Sequence, residues 1–237
     1  MTPAPRPAPK VLAFDVFGTV VDWHGSITRE VNALGLGIDG EAFATAWRDG
    51  YYPAMDRVRS GELGWTKIDD LHRMILDSIL PDFGLQSMDG AHRRALNKVW
   101  HRLDPWPDTV QGLMRLKSKF TICTLSNGNL GLLANMAKRA GLPWDLILSA
   151  EVFRHYKPAP QTYQGVADVF DVAHDEVMLV AAHKDDLHGA RKAGLRTAFI
   201  ERPAEFGRHV QRKDLGRDPR LEFHATDLLN LADQLGC

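Results

Sequence analysis

From residue 108 to residue 200 the sequence alternates strand-like and helix-like stretches, and this alternation constrains the fold more than any other feature. Runs rich in Val, Ile, Leu and Phe at 120–126, 146–149, 177–181 and 197–200 read as strands. Stretches near 108–118, 129–140, 160–170 and 186–193 carry apolar residues at helical spacing. Strands separated by helices form a parallel sheet with the helices laid over it. A further apolar run at 11–16 is broken only by Asp15 and is followed by Gly18. One buried strand cannot satisfy its own backbone groups, so this run must join the same sheet.

Residues 23–106 have a different pattern. Segments near 26–35, 41–58, 66–80 and 89–103 place Leu, Trp, Met and Ile at helical spacing, and no strand is expected among them. Pro105 and Pro107 close the block. The expected class is therefore α/β: a Rossmann-like parallel sheet core, 10–22 and 107–237, interrupted by an all-helical insertion at 23–106. Residues 1–9, rich in Pro and Ala, are expected to be a flexible tail without the apolar stretch of a signal peptide. The charged segment 202–222, punctuated by Pro203, Gly207, Gly216 and Pro219, is expected to be a solvated loop.

The charge balance excludes some functions. A formal net charge of -1 gives no general attraction to nucleic acid or anionic membrane. No apolar run approaches the roughly 18 residues of a membrane span. The two cysteines, Cys123 and Cys237, form no metal-ligand spacing or disulfide framework, which fits a reducing cytoplasm.

Polar groups collect at the carboxyl ends of the expected strands, the edge at which open parallel sheets bind ligands. Asp15 ends the first run, within Phe14-Asp15-Val16-Phe17-Gly18-Thr19. An ionised carboxylate among apolar neighbours needs partners. Without them the plain alternative is an Asp that accepts loop amide hydrogen bonds. Ser126-Asn127-Gly128 follows the second core strand and is also ordinary turn chemistry. Tyr156-Lys157-Pro158 precedes a helix. Ala181-Ala182-His183-Lys184-Asp185-Asp186 follows a strand, where its carboxylates could instead cap the next helix.

Taken in order, these four loops resemble the four motifs of the haloacid dehalogenase superfamily, and the helical insertion resembles that superfamily's cap domain. Many members are magnesium-dependent phosphatases, with an acid two residues after the nucleophile and a metal-binding Asp in the last motif. Here those positions hold Phe17 and Ala182. A phosphoester leaving group needs a proton from a general acid, whereas halide does not. The chain is more similar to the type II (S)-2-haloacid dehalogenases. Trp47-Arg48 resembles that family's Trp-Arg pair, Ser126-Asn127-Gly128 its Ser-Asn motif, Lys157-Pro158 with Tyr163 its Lys-Pro and Tyr, and Asp186 its late Asp. It departs from the family at Ala181-Ala182-His183, commonly Ser-Ser-Asn, at Asp185, commonly aromatic, and at Asp49, often Gln.

The resemblance implies hydrolysis of a small (S)-2-haloacid to the (R)-2-hydroxyacid through an ester on Asp15. Lys157 would keep Asp15 anionic, and Thr19 would hydrogen-bond it. Asp186, with His183, would position or deprotonate water. Arg48 and Asn127 would receive the halide. Ser126 and backbone amides near Phe17 would hold the substrate carboxylate, and Tyr163 would orient Lys157 or the substrate. His183 could equally satisfy a loop carbonyl. Trp23, Trp47, Trp65 and Trp100 are expected mainly to pack the helices. The resemblance further implies no metal or cofactor, a homodimer, and no partner beyond haloacid and water. The alternatives are a magnesium-dependent phosphatase and a non-catalytic relative that binds a small acid.

Overall fold

Val11–Phe14 (β1) has apolar side chains on both faces, so only a position inside a covered sheet buries it fully. The computed structural model describes residues 8–207, 209, 210, 212 and 214–237, so most of the tail expected at 1–9 lies outside the described residues. After β1 the chain forms Val21–Asp22 (β2) and then a helical block. The block runs through Trp23–Ala33 (α1), Gly40–Asp49 (α2), Tyr51–Arg59 (α3), Ile68–Ile79 (α4) and Gly90–Asn97 (α5). Asp104–Pro105 (β3) closes it. The chain then alternates Thr109–Lys117 (α6), Thr121–Ser126 (β4), Leu130–Ala140 (α7), Leu146–Ser149 (β5), Ala150–Phe153 (α8), Pro160–Phe170 (α9), Val177–Ala181 (β6), Lys184–Lys192 (α10), Arg196–Ile200 (β7), Phe223–Ala225 (β8) and Leu228–Gln234 (α11).

The six-stranded sheet has the order β5-β4-β1-β6-β7-β8, and every pairing is parallel. β1 sits between β4 and β6, with Phe14 opposite both Thr124 and Val180. This register brings Asp15 and the residues that follow Ser126 and Ala181 to one edge. Leu12, Phe14, Ile122 and Val180 pack on one face, and Val11, Ala13, Cys123 and Leu179 on the other. The first face continues without a break into the helical block, through Trp23, Trp47, Leu71 and Trp100. The block therefore shares one apolar core with the sheet.

Three differences from the sequence reading have local causes. The helix expected at 41–58 is two helices that break at Gly50, where a Cβ would lie 2.4 Å from Cγ2 of Ile75. β2 and β3 pair antiparallel where no strand was expected; two residues a side carry too short a pattern to register. The expected solvated loop at 202–222 is anchored at its start. Arg202 is buried, donating to both Asp108 carboxylate oxygens at 2.8 Å and to the Thr19 carbonyl at 2.9 Å, and Glu205 is wholly inaccessible.

Candidate active site

Asp15 stands one residue beyond the end of β1, its backbone N–H donating to the carbonyl of Val180 on the neighbouring strand at 3.0 Å. The side chain is buried, and each carboxylate oxygen has its own partners. Lys157 Nζ donates to Oδ1 at 2.9 Å. Thr19 Oγ1 donates to Oδ2 at 2.8 Å, and His183 Nδ1 lies 3.1 Å from the same oxygen. The Thr19 hydroxyl has no freedom to turn, because it accepts the Ala182 N–H at 2.9 Å and so must point its hydrogen at Asp15.

Lys157 is a bridge between two carboxylates. Its Nζ also donates to Asp186 Oδ2 at 2.5 Å, while Tyr163 donates to Asp186 Oδ1 at 2.7 Å. The lysine backbone is fixed by its N–H, which donates to Asn127 Oδ1 at 2.9 Å. Asn127 thus acts through its oxygen on Lys157, and its amide nitrogen faces the Met55 sulfur at 3.5 Å. The Tyr163 phenol reaches Asp186 across Gly189, where a Cβ would lie 2.8 Å from its oxygen.

The two carboxylates have opposite electrostatics. Burial disfavours the ionised form of both. At Asp15 the charges of Lys157 and His183 outweigh burial and hold the carboxyl well below the usual range. At Asp186 burial wins: Lys157 opposes it, but the nearby Asp15 charge adds to it, so Asp186 is raised. Lys157 loses some basicity to burial and regains more from both carboxylates, so it stays an ammonium. The result is a ready proton acceptor beside a persistent anion: Asp15 is suited to attack, and Asp186 to receive a proton.

Arg48 enters from the last turn of α2. Its guanidinium lies over the Tyr51 ring at 4.1 Å and within 5.5 Å of Trp23 and Tyr52, and its buried Nη1 has no hydrogen-bond partner among the described residues. Burial pushes Tyr51 up to about 12, so it faces Arg48 as a neutral ring. A buried cation with a spare donor on an aromatic platform is a site for an anion. Arg48 lines the same cavity as Asp15, Phe17, Asn127, Lys157, Tyr163, His183 and Asp186. Ser126, expected at the substrate carboxylate, is not among the residues that line this cavity. It is fully buried, and its hydroxyl accepts the Gly128 N–H at 3.0 Å.

A phosphatase-type magnesium does not fit these residues. Ala182 offers no side-chain ligand, and the ammonium of Lys157 fills the gap between Asp15 and Asp186. Phe17, where phosphatases have their acid, packs edge-on against Trp100 at 5.5 Å.

The model of the haloacid dehalogenase-like hydrolases matches residues 9–194. The chain belongs to this family. It is 30% identical over 204 residues to (S)-2-haloacid dehalogenase 4A of Burkholderia cepacia, covering 81% of this chain and 83% of that one. A solved L-2-haloacid dehalogenase structure is 45% identical, with a TM-score of 0.91 over 97% of this chain and all of that one. A defluorinating L-2-haloacid dehalogenase is 43% identical, with a TM-score of 0.93 over 97% and 96% of the two chains.

Within this family frame, one group at the site escaped the sequence reading. Glu205 is wholly buried against His183, its Oε1 lying 2.8 Å from Nε2 and accepting Trp23 Nε1–H at 3.2 Å. Arg212 donates to Oε2 at 2.6 Å. Gly18, at φ +83°, makes room for this carboxylate: a Cβ there would lie 2.2 Å from Oε1. Trp23 therefore does more than pack helices, because it ties the insertion to the group behind His183. No local signal marks Glu205; only the turn residues Pro203 and Gly207 flank it.

Proposed function

We propose that the chain hydrolyses small (S)-2-haloacids to (R)-2-hydroxyacids, with Asp15 as nucleophile. The observation that carries this reading is the pairing, in one cavity, of an anionic Asp15 with a buried Arg48 whose Nη1 lacks a partner among the described residues. Asp15 Oδ1 accepts one hydrogen bond and Oδ2 two, so Oδ1 keeps a free lone pair and attacks C2. Attack from the face opposite the halogen inverts the carbon and forms an ester on Asp15. Arg48 receives the departing halide, since a donor aimed at developing negative charge lowers the barrier. Asn127 assists it, and Phe17 walls the pocket. Ser126 shapes the turn that carries Asn127, its hydroxyl accepting the Gly128 N–H.

Water then adds to the ester carbonyl of Asp15. Asp186, the carboxylate raised by burial, takes the water proton. Lys157 lies on Oδ1, which becomes the departing oxygen, and supplies its proton; Asp186 returns one to Lys157 across 2.5 Å. Asp15 is left as a carboxyl whose proton passes to solvent.

We further read residues 23–106 as a cap over a core of 10–22 and 107–237. The neck between them is the short β2–β3 pair. Two free cysteines fit a cytoplasmic setting, and no helix among the described residues is long and apolar enough to cross a membrane. A homodimer is the assembly that the resemblance implies, and light scattering on the purified chain checks it. Halide release from a panel of 2-haloacids tests the function. Release from (S) but not (R) substrates, unaffected by a chelator, is expected. Chelator-sensitive turnover of an aryl phosphate would overturn the reading.

A further inference from the structure

His183 stands between two carboxylates, with Nδ1 3.1 Å from Asp15 Oδ2 and Nε2 2.8 Å from Glu205 Oε1. An ionised carboxylate only accepts hydrogen bonds. Asp15 is ionised, since Lys157 and Thr19 both donate to its carboxylate. Among the described residues Glu205 meets donors alone, from Trp23, Arg212 and His183, which is the environment of a carboxylate anion. Both ring nitrogens must then carry hydrogen, and the ring is an imidazolium with no lone pair for a water proton.

Oδ2, the oxygen that His183 and Thr19 hold, is the one that does not attack. Once Oδ1 has bonded to C2, Oδ2 is the carbonyl oxygen of the ester, already bound by a charged N–H and an oriented O–H. We propose that His183 is a fixed cationic donor that, with Thr19, stabilises the oxyanion formed at Asp15 Oδ2 during ester hydrolysis, and that Glu205 is the positioning residue that keeps it protonated. Water adds to Cγ of Asp15, the carbonyl π pair moves onto Oδ2, and the water proton goes to Asp186. The Cγ–Oδ1 bond then breaks, Oδ1 leaves with a proton from Lys157, and the pair on Oδ2 re-forms the carbonyl. His183 gives up no proton at any step. This inference rests on the dehalogenase reading above and assigns His183 a part in its second half.

The charged groups around the ring agree. Asp15 faces it from the end of β1, and Glu205 with Arg212 from the segment after β7. Lys157 lies before α9, Asp186 on α10, and Arg48 enters from α2. Lys157 is engaged by Asp15 and Asp186, and Arg212 by Glu205 and Asp214, so these cations are matched by carboxylates. Burial works against the imidazolium, but Glu205 and Asp15 outweigh it and hold the ring well above the ordinary histidine range. Ester formation removes the Asp15 charge and leaves, among the described residues, the Glu205 carboxylate bonded to the ring, which is why the buried glutamate matters to the hydrolytic step.

The test is single turnover with enzyme in excess, measuring halide release and hydroxyacid release separately between about pH 6 and 10. A cationic donor makes hydrolysis fall as the ring deprotonates at high pH; a general base would make it rise instead. His183→Ala should slow hydrolysis by about 10²–10³-fold, far more than it slows halide release. Glu205→Gln should move the alkaline limb to lower pH by about 1–3 units, a displacement that a merely structural role would not produce. Should that variant fail to fold, nitrogen-15 NMR of histidine-labelled wild type reads the same point: two protonated ring nitrogens on His183 at about pH 8, assigned by their loss in His183→Ala. Hydrolysis that rises with pH, or a His183 with one bare nitrogen at that pH, overturns the proposal while leaving the dehalogenase reading intact. Absence of halide release from wild type with every 2-haloacid overturns both.

Discussion

Replacing Lys157 by Met removes the cation that two buried carboxylates share while keeping most of the side-chain volume. Lys157 Nζ lies 2.9 Å from Asp15 Oδ1 and 2.5 Å from Asp186 Oδ2, and it is almost entirely inaccessible. Taking one partner from a buried pair costs about 3–5 kcal/mol because a charge is left uncompensated. Here the cost should depend on pH. Asp186 is raised in the folded protein, so it favours the protonated form and weakens the fold as pH climbs past its unfolded value. Without Lys157 that raise grows, and Asp15 loses the cation that helps to hold it down. The variant should therefore lose about 3–5 kcal/mol at alkaline pH, and regain part of it as acid protonates Asp186. Urea unfolding of wild type and variant at about pH 8 and pH 5 measures both losses. A loss under about 1 kcal/mol, or one equal at both pH values, would refute the picture of a shared, desolvated cation.

Other outcomes follow from the same geometry. Gly18→Ala forces a side chain into the left-handed region at φ +83° and against Glu205 Oε1, so unfolding free energy should fall by about 3 kcal/mol or more; an unchanged urea midpoint would contradict the close approach. Asp186→Asn removes the water base, so the enzyme should release about one halide per active site and then stall as the ester, visible by intact-protein mass spectrometry. Continued turnover of that variant would move the base elsewhere. Arg48→Met should cut halide release by about 10²-fold or more, since a donor to the leaving group is lost; a change confined to KM would make Arg48 a binding group alone.

Much of the fold could be read because burial leaves periodic traces. Strands buried on both faces appear as apolar runs, so β5 and β6 lie where their runs do, and β1, β4 and β7 within a residue or two. The site residues could be read where they follow such strands, as Asp15, Asn127 and His183 do. Other features leave no trace of that kind. β2 and β3 are too short for a period, and β8 is a three-residue strand after a polar stretch. The break at Gly50 comes from the approach of Ile75, which is distant in sequence. Glu205 lies in a charged segment, and its burial depends on donors at positions 23, 183 and 212 that only the folded chain assembles. Ser126 shows the reverse case: its motif is legible, but the partner its hydroxyl takes, the Gly128 N–H of its own loop, is set by the turn.

The proposed reaction turns on one bond, between Asp15 and the substrate carbon. Single turnover in oxygen-18 water, with enzyme in excess, tests it. If water attacks the ester carbonyl, the heavy oxygen enters the Asp15 carboxylate first and reaches the hydroxyacid only in later turnovers, so the first product should be unlabelled. Label in the first product, with Asp15 unlabelled after many turnovers, would mean that water attacks carbon directly and that Asp15 is not the nucleophile.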